Sequence, residues 1–275
     1  MLQYVCGRKG KIKIIGGGKA CAFPSLVLSY FKKSAAVRHK WARNAPRGEL
    51  YTMNTQDTVH RKSAAELRIR RVMDALEKNN MQAYYAPTCA DAVKIAKELL
   101  QPGDVISCGG SVTLDETGVM DLMRCGDYEF LDRTTAKTPE EREKLYREVF
   151  FSDVFLTGTN AVTEHGELYN VDGNGNRVAA MLFGPKKVLV FAGCNKIVRD
   201  IDDAAKRVKS CATPANAMRL NLDTPCTHGA CPGTDGELCA GCRSENRICA
   251  MYTVLARQRV KGRIHVILIG EEVGY

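Results

Sequence analysis

No stretch of this 275-residue chain approaches the roughly 20 consecutive apolar residues that a membrane-crossing helix needs. The longest candidate, residues 20–31, is interrupted by Pro24, Ser25 and Ser29 and follows Gly16-Gly17-Gly18, which makes a poor secretory signal. A phosphate-binding loop is also missing. Gly16-Gly17-Gly18-Lys19 lacks the required spacing and the following Ser or Thr. There is no internal repeat and no low-complexity tract, and a hydrophobic content of 45% excludes wholesale disorder. Tryptophan is nearly absent, Trp41 being the only one.

Acidic residues are scarce in one region only. Residues 1–52 hold 11 Lys and Arg against a single acid, Glu49, although the whole chain carries a net charge of +9. That leaves 29 basic and 30 acidic residues for 53–275. The body therefore offers no electrostatic surface for a nucleic-acid backbone. The basic segment shows no sustained helical or strand period, and the sequence changes character at Met53. Arg47-Gly48-Glu49 can be encoded by a purine-rich stretch that would serve as a ribosome-binding site ahead of Met53. The expectation is that residues 1–52 are an extension, either not native or a disordered basic arm, and that one domain covers 53–275.

The body alternates helical and strand patterns. Ile69, Val72, Met73 and Leu76 share one helix face, and that helix ends near Asn79 and Asn80. Further helices are expected from Thr88 to about residue 100, from Ser111 to about 124, from Thr138 to about 150, from about 199 to 210, and from Pro214. Strands are expected at 83–86, 104–108, 128–131, 154–157, 187–191 and 264–269. A hairpin of 167–171 with 177–182 is expected around Asp172-Gly173-Asn174-Gly175-Asn176. Strands alternating with helices predict an α/β fold, with a mostly parallel sheet covered by helices on both faces.

In such sheets ligands bind at the carboxyl ends of strands. Three ends carry small or hydroxyl residues. One holds Gly109, Gly110, Ser111, Thr113 and Glu116; glycine admits a ligand and the helix start favours an anion, though Thr113 and Glu116 also read as a capping box in a tight turn. The next runs through Thr157, Gly158, Thr159 and Asn160 to Glu164-His165-Gly166. The last is Phe191-Ala192-Gly193-Cys194-Asn195-Lys196, where Gly193 and Asn195 are the candidates. Ser111 has no evident Ser–His–Asp partners, which argues against a hydrolase. Glu164 reads either as a general base or nucleophile, or as a turn-capping carboxylate; His165 is a weaker acid/base partner or a solvent-facing loop residue.

Five of the twelve cysteines fall within 24 residues, as Cys226-x4-Cys231-x7-Cys239-x2-Cys242-x6-Cys249. A CxxC pair lets two thiolates reach one metal, and two further cysteines complete four ligands. Such clustering suits a reducing, cytoplasmic setting better than a disulfide framework.

Gly110-Ser111-x-Thr113-Leu114-x-Glu116-x-Gly118, the segment from Thr157-Gly158 to Gly166, the turn ending Gly175-Asn176-Arg177 and the strand through Gly193 together resemble the LUD domain family, which includes the LutC-type lactate-utilization proteins. The resemblance covers 53–275. It implies a fold similar to the NagB/RpiA isomerases and CoA-transferases, in which a Glu-x-Gly turn like Glu164-His165-Gly166 can act as nucleophile or base. A short LUD subfamily is similar at Pro225-Cys226, Cys239-x2-Cys242 and Arg247-Ile248-Cys249, which implies these four cysteines as ligands and Cys231 as a fifth, spare one. The centre would be zinc or a [4Fe–4S] cluster. The implied function is binding of a small anionic metabolite beside Fe–S redox subunits in lactate or 2-hydroxy-acid oxidation, with a second copy of the chain as a further partner. A CoA-transferase or isomerase using Glu164, or a non-catalytic metal or redox sensor, are the alternatives.

Overall fold

The computed structural model of the chain describes residues 4–6, 12–14, 55–237 and 240–275. It divides into two units, 1–54 and 55–275. In the first, β1 (Tyr4–Cys6) pairs antiparallel with β2 (Ile12–Ile14), a ladder that the sequence pattern does not announce. The remaining expectations for residues 1–52, including a start at Met53, lie outside the described residues.

The second unit opens with helix α1 (Thr55–Lys78), ended by Asn80 in the left-handed region. Then come β3 (Gln82–Ala86), α2 (Cys89–Leu99, capped by Thr88), β4 (Val105–Cys108), α3 (Val112–Glu116), α4 (Val119–Met123) and β5 (Glu129–Leu131). Helix α5 (Pro139–Glu148) starts with the expected capping box of Thr138 and Glu141 and leads to β6 (Val154–Gly158). The chain continues through β7 (Ala161–Thr163), β8 (Leu168–Asp172), α6 (Asn176–Phe183), β9 (Lys187–Gly193), β10 (Ile197–Val198), α7 (Ile201–Arg207), α8 (Thr213–Arg219), β11 (Met251–Leu255) and β12 (Ile264–Ile269).

Six strands form one fully parallel sheet in the order β3-β12-β9-β6-β4-β5. Its central strands are apolar on both faces, as a sheet sandwiched between helices requires. On β9, Val188 and Val190 pack with Ile69, Val72 and Leu76 of α1, while Leu189 and Phe191 pack with Ala92 and Ala96 of α2 and Leu114 of α3. The fold is thus the expected α/β architecture with helices on both faces. A second, smaller sheet in the order β10-β7-β8-β11 was not anticipated; β7–β8 and β8–β11 pair antiparallel.

Three local expectations are corrected. Residues 177–182 are not the second arm of a hairpin but belong to α6. Asp172 accepts from the Val178 N–H at 3.0 Å, and Val178 and Met181, three apart, are buried on one helix face. The helix expected over 111–124 is broken into α3 and α4 by left-handed Gly118. Its cap is Ser111, whose hydroxyl accepts from Leu114 N, and not a box of Thr113 and Glu116; Thr113 is already helical, and the Glu116 carboxylate is bound elsewhere.

Candidate functional site

Strand order reverses between β4 and β6. From β4 the chain steps outward to β5, whereas from β6 it steps through β9 to β12 on the other side. Such a switch point leaves a crevice at the carboxyl ends of the two strands, because their following loops part there. A cleft of about 340 Å³ lies at this place, a size suited to a small metabolite. Gly110, Ser111 and Thr113 line it from the β4 end, and Gly158, Thr159 and Asn160 from the β6 end. The glycines admit their neighbours. A methyl group on Gly158 would sit 2.7 Å from Ser111 Oγ, and one on Gly110 would strike the Arg133 guanidinium.

Four cationic side chains line the cleft, namely Arg133, Arg177, Lys196 and Arg219, against one acidic side chain, Asp172. Arg177 is fully engaged. Its Nε donates to Asp172 at 2.9 Å, Nη1 to Asn170 Oδ1 and Gly158 O, and Nη2 to Asn160 Oδ1 and Val171 O. That buried pair ties the ends of β6 and β8 together and engages the one acidic side chain of the described lining. The other three cations have no ion pair among the described residues. Arg219 donates only to the Asn216 amide oxygen, and Arg133 has no hydrogen bond there at all.

Lys196 stands just past β9 and is 3% exposed. Its Nζ donates to Thr113 Oγ1 at 2.7 Å. Burial, reinforced by the charges of Arg207 and Arg177 and opposed by Glu116, pushes the ammonium down to about 7. Tyr275 also lines the cleft, and its hydroxyl has no hydrogen-bond partner among the described residues.

Several predicted residues support the cleft without lining it. Gly109 packs against the Arg177 side chain, and the Thr157 hydroxyl turns back on Gly158 O. Asn195 and Glu116 hold the last residues: Asn195 Nδ2 donates to Gly274 O at 2.9 Å, and Gly274 N donates to Glu116 Oε2 at 2.6 Å. Gly193 is close to Val273 and Asn195, with no space for a side chain.

Glu164, His165 and Gly166 are not at the cleft. They form the β7–β8 turn, where Glu164 accepts from Arg68 Nε at 2.6 Å and is 37% exposed. Gly166 has φ +77°, and a Cβ there would lie 2.5 Å from the α1 backbone, so this glycine serves helix docking. Glu164 and His165 border a different, open groove with Arg71, Asp74 and Lys78. The sequence pattern marks Lys196 only as a neighbour of a strand end and Asp172 and Arg177 only as parts of a turn, and it gives no sign of Arg133 or Arg219. Lone charges far apart in sequence make no pattern; only the switch-point topology collects them.

The cysteine segment meets the cleft through Ile248, which lines it and packs on Gly173. Cys226 and Cys249 are buried, and Cys231 and Cys242 half-buried. Arg247 bridges the segment, donating to Cys242 O and Cys249 O. Lys209, buried and without a carboxylate partner among the described residues, donates to Cys249 Sγ at 3.6 Å. Burial works against the Cys249 thiolate, yet Tyr252, Lys209 and Arg247 together hold its thiol below the ordinary range. Cys239 lies outside the described residues. Among those described, no three His, Cys, Asp or Glu side chains converge on one ion position. Burial pushes the Cys108 thiol up to about 11, and burial together with the Glu271 carboxylate does the same to Cys89. Among the described residues no helix is long and apolar enough to cross a membrane.

The LUD domain profile matches residues 69–269. Among solved structures, a DUF162 family protein from Deinococcus radiodurans is 16% identical, with a TM-score of 0.42, covering 74% of this chain and 98% of that one. The eIF2B beta and delta subunits from Chaetomium thermophilum are 15% and 17% identical, each with a TM-score of 0.29; they cover 39% and 62% of this chain and 42% and 65% of their own. No curated protein sequence matches the chain.

Proposed function

Since the chain belongs to the LUD domain family, matched over 201 of its residues from 69 to 269, we propose that its cleft binds a small anionic metabolite of the 2-hydroxy-acid class and that the protein serves beside iron–sulfur redox subunits in oxidising such acids. The observation that carries the reading is the charge of the cleft. Arg133, Lys196 and Arg219 face it with no side-chain carboxylate paired to them among the described residues, and Asp172 is engaged by Arg177. Cations gathered without a counter-charge repel one another, and a carboxylate or phosphate relieves that repulsion. Ser111 Oγ, beside Gly158, adds a hydroxyl that can hydrogen-bond the ligand.

Calorimetric titration with L-lactate and with inorganic phosphate tests this. Binding is expected for the wild type, weakened about tenfold or more in Arg133→Gln, as the loss of one charged hydrogen bond predicts. No heat with either probe, or equal affinity in Arg133→Gln, would sink the reading.

A second reading concerns the cysteine segment and rests on Lys209. A buried ammonium without a carboxylate needs a negative partner, and a thiolate-ligated centre supplies one. Cys226, Cys239, Cys242 and Cys249 would hold the group, with Cys231 in reserve. Zinc would brace the loop, whereas a [4Fe–4S] cluster would add one-electron transfer. The check is metal and acid-labile sulfide per chain after anaerobic purification. Cys242→Ser is expected to lose the metal and Cys231→Ser to keep it; metal-free wild type refutes the site.

A further inference from the structure

We infer that Lys196 is a carbonyl-reactive amine, condensing with an aldehyde or ketone that the cleft holds by a carboxylate or phosphate group. The inference rests on the reading of the cleft as an anion site and assigns it a chemistry.

The position of Lys196 comes first. Its side chain is almost wholly buried, yet it lines the cleft at the third strand end, so it meets a ligand and little water. A lysine buried for structural reasons has a carboxylate or several carbonyls to satisfy its ammonium. Lys196 has one partner among the described residues, the Thr113 hydroxyl. The contrast with Arg177 is direct, since every nitrogen of that guanidinium is engaged beside it in the same cleft.

The surroundings favour the neutral amine. Arg177 and Arg207 press on Lys196 with positive charge, Glu116 and Cys211 oppose them, and burial decides the balance. A desolvated lysine beside other cations is the arrangement that frees an amine lone pair near neutral pH. Arg133 and Arg219 remain to take the anionic end of the ligand, leaving its carbonyl for Lys196.

The step balances without an oxidant or reductant. The Nζ lone pair attacks the carbonyl carbon, and the carbonyl oxygen takes up a proton to give a carbinolamine. Loss of water then leaves the imine, both amine hydrogens departing with the oxygen. The Ser111 and Thr113 hydroxyls, both within reach of Gly158, stand where that proton traffic needs them.

Because imine formation needs the neutral amine, its rate rises with pH through about 7, whereas binding of a simple anion weakens over the same range. The experiment incubates the full chain with glyoxylate in one arm and dihydroxyacetone phosphate in the other, reduces with borohydride, and maps adducts by peptide mass spectrometry. One adduct per chain at Lys196, suppressed by excess inorganic phosphate and lost in Lys196→Arg, is expected in at least one arm, and the arm identifies the handle. Mapping on the wild type decides the matter even if the variant fails to fold. Adducts scattered over surface lysines and indifferent to phosphate overturn the inference. So does calorimetric binding of both probes with no adduct, and in that case the anion site stands. No binding of either probe or of phosphate overturns both.

Discussion

The cleft at the β4 and β6 ends gathers Arg133, Arg177, Lys196 and Arg219 against a single acidic side chain, Asp172, whereas the groove beside α1 sets Arg71 and Lys78 against Asp74 and Glu164. One surface is short of negative charge and partly buried; the other is balanced and open to water. A balanced groove needs no ligand to be electrostatically at rest. An unbalanced one is settled only when an anion arrives. The Glu164-His165-Gly166 turn draws the eye in the sequence; in the structure Glu164 pairs with Arg68 at the open groove and stands apart from the cleft.

The harshest way to break the contrast is Arg177→Met. It strands Asp172 and removes donors from Asn160 and Asn170, so a loss of about 3–5 kcal/mol is expected, as for a broken buried pair. The urea midpoint measures it, and a shift under about 1 kcal/mol would show that Arg177 does not brace the cleft. Next in size is affinity. Arg219→Gln is expected to weaken phosphate binding about tenfold, and its combination with Arg133→Gln to abolish binding at millimolar concentration.

A smaller effect comes from pH. Lys196 titrates near 7 when folded and at 10.5 when unfolded, so the unfolded chain binds more protons between those values. Stability therefore rises with pH across that window, and this group contributes no slope below it. Phosphate affinity runs the other way, full below pH 7 and reduced about tenfold above it as the ammonium is lost. A flat affinity profile from pH 6 to 9, after allowing for the titration of phosphate itself, would show that Lys196 does not touch the anion. The smallest effect belongs to Glu164→Gln. Its partly exposed pair with Arg68 is worth under about 1 kcal/mol, and phosphate affinity is expected to stay unchanged.

The sheet was readable where strands are apolar on both faces. Residues 264–269 match β12 end to end, and 187–191 lie within β9. The reading failed where turn chemistry imitates a hairpin. Asp172 to Asn176 has every residue of a tight turn, but its carboxylate feeds the start of α6 instead of closing a two-strand ladder. Strands β7 and β10 escaped because two or three residues carry no period, and the five-residue β11 because it is half-exposed. The glycine and hydroxyl half of the cleft was legible because backbone approach demands small residues. The cationic half was not, because Arg133, Lys196 and Arg219 meet only through long-range pairing.

The slot of β12 has a consequence for synthesis. This strand, Ile264–Ile269, lies between β3, the first strand of the parallel sheet, and β9, and hydrogen-bonds to both. Until residue 269 has left the ribosome, β3 and β9 each lack the partner that β12 supplies. At roughly 5–20 residues per second that interval lasts many seconds for β3 and only a few for β9. Exposed strand edges recruit other chains, so a ribosome that pauses ahead of Ile264 leaves the nascent unit in its most aggregation-prone form. Completion of the sheet therefore waits on β12, and neither β3 nor β9 has its full pairing before Ile264–Ile269 emerges.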